Sequence, residues 1–325
     1  MRPSTRLLPV MFLAVMWGSW LIVPVTAQSP PKEGFRIGVK VDLVAMDVTV
    51  LDADGRPVEG LTADNFQVFE DGNPQEISLF QEADLPITLG LVIDTSGSMR
   101  PKLHWVNQSI YSFLNNSNRD NELFIIDFSH DQAELLQDFT RDPDDIRDAI
   151  KEKMLAGGGT PLWDSIYLGL GYAEKGRLDR KALLIISDGE DKDSYYSFEN
   201  VMEQVKTGEI QVYFIGLQEK RGGSLFDLGS FSREKAAAEI QQIADISGGI
   251  CFFPDDLDQL SDITIAIANE LRHQYRIGYN PQRKPDASGF REITVKLKNM
   301  PDSTPHFTVR TRKGYQVMEE SGSGG

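Results

Sequence analysis

Short apolar runs alternate with helix-like stretches through the middle of the chain. Each apolar run is continuous, which is typical of a strand buried on both faces of a parallel sheet. We therefore predict a doubly wound α/β domain at residues 85–273, with a mostly parallel sheet and helices on both faces. The predicted strands are 87–93, 121–128, 182–187, 210–217 and 249–253, and the predicted helices are 102–114, 143–154, 161–174, 198–207, 232–247 and 257–272.

The residues before this region follow a period of two, which indicates half-buried strands. Two alternating runs are one residue out of step and predict two strands joined by a β-bulge. Residues 65–70 and 77–80 predict further strands, and the hairpin signal of Asp71 and Gly72 lies between them. The two alternating runs are Val39, Val41 and Leu43, then Met46, Val48 and Val50.

The residues after 273 return to the same alternation. Neither flank alone offers enough strands for a comfortable two-layer core. We therefore predict that residues 39–84 and 274–317 pair into one β-sandwich, with the α/β domain inserted between them. The alternating positions of the second flank are Tyr275, Ile277, Tyr279, Ile293, Val295, Leu297, Phe307, Val309 and Thr311.

The N-terminal residues have the features of a secretory signal peptide. Arg2 and Arg6 precede an apolar run at 7–25, and Val25-Thr26-Ala27 ends it with small residues. We predict a signal peptide at 1–27, a linker at 28–38 and a flexible tail at 318–325. The protein would be exported to the periplasm, the cell surface or the medium, with no membrane span in the mature chain. An uncleaved signal anchor is the alternative.

Composition limits the functions to consider. A formal charge of −16 argues against a nucleic-acid or anionic-membrane binder, which would need a basic surface. The single cysteine, Cys251, allows no intrachain disulfide and lies in an apolar run, so we expect a buried, inert thiol. The four histidines have no zinc-site spacing, and a zinc hydrolase is unsupported.

Side chains that carry oxygen atoms lie in three predicted loops, each of which leads into a helix. Asp94, Ser96 and Ser98 follow the first strand, and Asp188 follows the strand at 182–187. Thr160 is predicted to be the N-cap of the helix that Pro161 begins. Hydroxyl and carboxylate oxygens can converge on a hard cation such as Mg²⁺. Turn and N-cap duty is the alternative for each residue alone, but three loops at one sheet edge favour a site.

In this order the motifs resemble a known site. D-x-S-x-S at 94–98, G-G-T-P at 158–161 and S-D-G at 187–189 resemble the metal-ion-dependent adhesion site of von Willebrand factor type A domains. The resemblance covers about residues 85–272. The flanks resemble the bacterial exported VWFA-related family, whose Q-Y-x-x-G-Y-x-P and R-x-G-Y motifs correspond here to 274–281 and 312–315.

The resemblance implies a Mg²⁺ or Mn²⁺ ion, with Ca²⁺ also possible, and a binding role without catalysis. Ser96 and Ser98 would bind the ion directly, Thr160 directly or through water, and Asp94 and Asp188 mainly through water. The open position would take a carboxylate from a protein partner. In related domains, binding is coupled to movement of the last helix, here 257–272.

Other residues are candidates for partner contacts. Glu190 follows Asp188 in an acidic run, and Leu225 and Phe226 lie in a long loop on the same predicted side of the sheet. A solvated acidic face and an ordinary surface loop are the respective alternatives.

Two other functions stay open at this stage. The run into Asp94-Thr95-Ser96-Gly97 also resembles the aspartic-protease loop, although that family needs a second such loop and an all-β fold. Alternatively, the β flanks could carry the function, as a scaffold in an envelope assembly.

Overall fold

The computed structural model describes residues 43–82, 84–129, 132–154, 157–192, 194–217, 228–281, 289–300 and 307–317. The predicted signal peptide, linker and tail lie outside these ranges. The strands are β1 (Val44–Leu51), β2 (Phe66–Glu70), β3 (Asn73–Gln75), β4 (Ile77–Glu82), β5 (Thr88–Asp94), β6 (Glu122–Ser129), β7 (Gln132–Thr140), β8 (Lys181–Ser187), β9 (Ile210–Gly216), β10 (Cys251–Phe252), β11 (Tyr275–Tyr279), β12 (Gly289–Leu297), β13 (Thr308–Arg310) and β14 (Gly314–Val317). The helices are α1 (Leu103–Asn116), α2 (Pro143–Lys153), α3 (Leu162–Ala173), α4 (Phe198–Thr207), α5 (Leu228–Ser247) and α6 (Leu260–Arg272).

A six-stranded sheet in the order β10-β9-β8-β5-β6-β7 forms the centre of the α/β region. Its strands are parallel except for the edge strand β7, which pairs antiparallel with β6. Every residue of β5 is buried, because helices cover both faces of the sheet. One face packs against α1, α2 and α6, and the other against α3, α4 and α5. This arrangement confirms the predicted fold class.

Two four-stranded antiparallel sheets are built from the flanks. Their orders are β13-β1-β11-β4 and β14-β12-β2-β3, so each sheet combines strands from before and after the α/β region. Apolar side chains of both sheets form one core, which includes Phe66, Tyr275 and Ile293. The chain therefore passes through these sheets, builds the α/β region and returns to complete the same sheets.

The predicted bulge in the first flank is wrong. β1 runs without interruption from Val44, Leu43 lies outside the strand, and residues 39–42 are outside the described ranges. Val48 and its alternate neighbours pack in the sandwich core, whereas Asp47 and Thr49 contact the α/β region. Both faces of β1 are therefore covered, one by the sandwich core and the other by the α/β region.

The structure also corrects three elements of the α/β region. Strand β7 was not predicted, the strand predicted at 249–253 is reduced to Cys251–Phe252, and a 3₁₀ turn at Leu257–Gln259 precedes the last helix. Among the described residues, no helix combines the length and apolar character needed to cross a bilayer.

Polar contacts join the sandwich to the α/β region. Arg180, just before β8, donates to Asp47 of β1 at 3.1 Å and to the Leu271 carbonyl oxygen of α6 at 2.9 Å. Glu270 of α6 accepts from the Tyr213 hydroxyl at 2.7 Å and also pairs with Arg310 of β13. The C-terminal end of α6 is thus held against both β1 and β13.

Candidate metal centre

The carboxyl ends of β5 and β8 bring the first site residues together. Ile93 of β5 is in register with Ile186 of β8, so Asp94 and Ser187 follow on adjacent strands. Asp94 is fully buried. One of its oxygens accepts from the Ser96 N–H at 2.9 Å, and the other accepts from the Ser187 hydroxyl at 2.7 Å. Both carboxylate oxygens are therefore fixed in direction.

The hydroxyl oxygens of Ser96 and Ser98 lie 3.1 Å apart. Ser96 is buried and Ser98 is exposed, so the pair lies where the buried part of the site meets the solvent. The loop is anchored by the buried Met99, whose N–H donates to the Ser96 carbonyl oxygen at 3.0 Å. Adjacent ligands of an octahedral Mg²⁺, at metal–oxygen distances of about 2.1 Å, are roughly 3 Å apart. The serine pair matches this spacing.

Backbone hydrogen bonds tie the second loop to the other two. The Gly157 N–H donates to the Thr95 carbonyl oxygen at 2.8 Å, and the Lys192 N–H donates to the Thr160 carbonyl oxygen at 2.8 Å. Thr160 is buried. The three predicted loops therefore meet at one edge of the sheet, with Thr160 between the first and the third.

The predicted N-cap role of Thr160 is wrong. Helix α3 begins at Leu162, and Pro161 is its N-cap residue. The Leu162 N–H donates to the Thr160 carbonyl oxygen at 2.9 Å and to the Asp191 side-chain oxygen Oδ1 at 3.0 Å. The Trp163 N–H donates to the same Asp191 oxygen at 3.4 Å. Asp191, from the third loop, thus takes the capping role at this helix start.

The site concentrates negative charge in a buried position. Asp188 is buried, and its Oδ2 lies 3.9 Å from the Lys102 ammonium. Burial raises the pKa of the Asp94 carboxyl to about 6, and the Asp188 carboxylate adds to this shift, against hydrogen bonds from Ser96 and Ser187. A cation at the site would offset the repulsion between the two carboxylates.

The donor chemistry fits a hard divalent cation. The site offers only oxygen ligands, and hard cations such as Mg²⁺ prefer oxygen. In the described ranges, this site included, no group of three or more His, Cys, Asp or Glu side chains could hold a metal. The candidate centre combines hydroxyls with the Asp94 and Asp188 carboxylates, and it rests on the spacing of the serine hydroxyls and on the buried Asp94.

The residues proposed for partner contacts are placed only in part. Glu190 lies beside the site, where it accepts from the Lys192 ammonium at 2.7 Å. Leu225 and Phe226 lie outside the described residues. Tyr195, which the sequence analysis did not single out, is 88% exposed on the third loop. Its N–H donates to Asp164 at 3.0 Å, so the exposed ring stands on an anchored backbone.

Two further residues that support the site, Asp127 and Lys102, were not predicted from the sequence. The Thr95 hydroxyl donates to Asp127 at 2.5 Å, which ties the first loop to the end of β6. Asp127 interrupts an apolar run, and this polar position in a central strand was an available signal. Lys102 had no such signal, because its ammonium bonds to the carbonyl oxygen of Leu217, far away in sequence.

The chain is similar to several known proteins. The chain is 32% identical over 111 residues to the uncharacterized protein sll0103 from Synechocystis sp.. The matched segment is 33% of this chain and 26% of that relative. BatB from Bacteroides thetaiotaomicron is a structural neighbour with 17% identity and a TM-score of 0.43, covering 57% of this chain and 98% of that one. A von Willebrand factor type A protein from Catenulispora acidiphila gives 11% identity and a TM-score of 0.47, covering 85% and 72%.

A family model decides the assignment. The model of the von Willebrand factor type A domain matches residues 89–265, which is more than half of the chain and contains all three loops of the candidate centre. The chain therefore belongs to the von Willebrand factor type A domain family.

Proposed function

We propose that the protein is an exported interaction module that binds a divalent cation and captures a carboxylate of a protein partner. Mg²⁺ is the expected ion, with Mn²⁺ or Ca²⁺ as alternatives. Ser96, Ser98 and Thr160 supply the hydroxyl ligands, and Asp94 and Asp188 act mainly through water. The observation that carries the proposal is the 3.1 Å separation of the serine hydroxyls beside the buried Asp94.

The chemistry of the ligands supports capture rather than bond cleavage. Neutral hydroxyls leave a bound cation with most of its charge, so the ion can attract an anionic ligand. Asp94 is engaged by Ser96 and Ser187 through both of its oxygens, which orients the carboxylate and holds the first loop in place. We therefore assign the site no catalytic role.

Exposure indicates the side from which a partner approaches. Ser96 and Thr160 are buried, whereas Ser98 is exposed. An incoming carboxylate would reach the ion past Ser98, and the Tyr195 ring, which is exposed on the third loop, is available for an apolar contact with the same partner. Rigid, exposed aromatic side chains are frequent energetic centres of protein interfaces.

The aspartic-type hydrolase has lost its support. That alternative required an all-β fold, whereas Asp94 ends a strand of a mostly parallel sheet covered by helices. The envelope scaffold has no specific observation in its favour.

Calorimetric titration of Mg²⁺ and Mn²⁺ tests the proposed centre. We expect the wild type to bind one ion, and Ser96→Ala and Thr160→Val to lose most of this binding while remaining folded. Ser112→Ala is the matched control, because the Ser112 hydroxyl donates to the Gln108 carbonyl oxygen within α1, away from the candidate centre. Equal binding by the wild type and Ser96→Ala would refute the site.

A further inference from the structure

The Lys102 side chain is buried beside the candidate centre. The residue is 5% exposed and lies immediately before α1. Its ammonium donates to the Leu217 carbonyl oxygen at 2.7 Å and lies 3.9 Å from Asp188 Oδ2. A buried ammonium is costly unless it is paired, and here the carbonyl oxygen and the carboxylate supply the pairing.

Helix α1 does not account for this lysine. Lys102 occupies the N-cap position, where Ser, Thr, Asp and Asn are preferred, and α1 has no acidic residue in its first turn. A positive charge at a helix N-terminus is opposed by the helix dipole. A residue that breaks the local preference while contacting a functional cluster is better explained by that cluster.

We propose that Lys102 sets the net charge of the metal centre, so that the centre holds its ion less tightly but attracts a carboxylate more strongly. This inference rests on the proposed function. With Asp94 and Asp188 ionised, the two carboxylates and the ammonium leave one negative charge in excess. A divalent ion turns this into one positive charge in excess, which an incoming carboxylate neutralises. Without the lysine, the loaded centre would already be neutral.

The proposal predicts opposite changes in two affinities. Removing the ammonium removes its repulsion of the divalent ion, and it also removes part of the attraction for the carboxylate. A unit charge within about 4–6 Å of a carboxyl changes its proton equilibrium by roughly tenfold or more. The Lys102 ammonium is 3.9 Å from Asp188 Oδ2, and we take the same factor for the ion that Asp188 faces. If Lys102 only joined α1 to the end of β9, the two affinities would not change in opposite directions. Loss of the lysine would then weaken the binding of both the ion and the carboxylate, or it would destabilise the fold.

Mn²⁺ is a suitable probe of both affinities. Lys102→Gln removes the charge while keeping a hydrogen-bond donor for Leu217, and Lys102→Met is a second neutral variant. Lys102→Arg is the matched control, because it keeps the charge. Mn²⁺ affinity is measured by electron paramagnetic resonance, and acetate affinity by proton relaxation of acetate on the Mn²⁺-loaded protein. Circular dichroism and thermal melting establish that each variant is folded.

We expect Lys102→Gln to bind Mn²⁺ about tenfold more tightly and acetate about tenfold more weakly, with Lys102→Arg close to the wild type. Folded neutral variants in which both affinities fall, or neither changes, would overturn the inference and leave the proposed function standing. A wild type that binds no Mn²⁺ would overturn the proposed function and this inference with it.

Discussion

The Arg180 guanidinium lies 3.1 Å from Asp47 Oδ1, and both side chains are more than nine-tenths buried. Arg180 precedes β8, whose far end carries the Asp188 loop, and Asp47 belongs to β1 of the sandwich. The strand that positions a site residue at one end is therefore fixed to the sandwich at the other. This contact makes the sandwich part of the support for the candidate centre.

Loss of the Arg180 guanidinium should destabilise the whole described fold. In Arg180→Met, Asp47 keeps its partner Arg276 but loses its closest buried charge, so we expect a loss of about 3 kcal/mol in the free energy of unfolding. Urea denaturation measures it. Arg177→Ala is the control, since Arg177 is 86% exposed and 3.9 Å from Glu122, and should change stability little. Equal effects of the two substitutions would contradict the role of the buried pair.

The raised pKa of Asp94 predicts a pH dependence of the metal-free protein. The folded state holds this proton more tightly than the unfolded state, so the contribution to stability is present below pH 3.8 and is lost as pH rises through about 6. Relative to Asp94→Asn, the wild type in chelator should lose about 3 kcal/mol between about pH 4 and 7. Urea unfolding across this pH range measures the difference in free energy of unfolding between the wild type and Asp94→Asn. A difference that does not change with pH would show that the pKa of Asp94 is not raised.

The affinity for metal should also depend on the ionisation of Asp94, but it should rise with pH, whereas the stability of the metal-free protein should fall. A divalent ion favours ionised Asp94, so binding must release a proton below pH 6. We expect the Mg²⁺ affinity to fall as pH is lowered from about 7 to 5, and calorimetry in buffers of different ionisation enthalpy to detect the released proton. A Mg²⁺ affinity that is constant over this pH range would show that the ionisation of Asp94 is not coupled to ion binding.

Cys251 is partly buried, not fully buried as expected from the sequence, and its thiol should still be unreactive in the native protein. Burial raises the pKa of its thiol to about 12, with a smaller contribution from Asp245, so almost no thiolate exists at pH 8. Iodoacetamide should label Cys251 slowly in buffer and rapidly in denaturing urea, as followed by mass spectrometry, with glutathione as the reactivity standard. Rapid labelling in buffer would show that the thiol is accessible.

Gly90 allows the central strand β5 to approach its neighbours. A Cβ atom there would lie 2.3 Å from a ring carbon of Phe124 and 2.5 Å from a methyl carbon of Leu183, both in the core. Gly90→Ala should therefore destabilise the protein by about 1–3 kcal/mol. Gly97→Ala is the control, because no atom lies within 4 Å of its added Cβ. Similar melting temperatures of the two variants would count against this tight packing.

The parts of the fold that local pattern determines were predictable. β5 and β8 are continuous apolar runs because both of their faces are covered, and Asp94 and Asp188 were placed at the correct ends of these strands. Strand β7 was missed because its pairing with β6 has register shifts near Ile125, which break the alternation of an edge strand. The alternation of a strand is a usable signal only while its register is regular.

The unpredicted parts of the site depend on distant partners. Asp191 caps a helix that begins 29 positions earlier, and Lys102 bonds to a carbonyl oxygen 115 positions later. Neither contact has a signature in the neighbouring residues, so Thr160 was assigned the cap and Lys102 was overlooked. Motif spacing identified the candidate ligands, whereas the residues that hold and charge the site required the tertiary structure.

The division of each sandwich sheet between two flanks has a consequence for biosynthesis. β1 and β2 emerge from the ribosome early, but their partners β11 and β12 follow the entire α/β region. Tyr275, for example, bonds to the Val58 carbonyl oxygen across 217 positions. The early strands must therefore wait with open edges, and such edges favour aggregation. The sandwich cannot be completed before β11 and β12 are available, and a chaperone that shields the first flank would act during this interval.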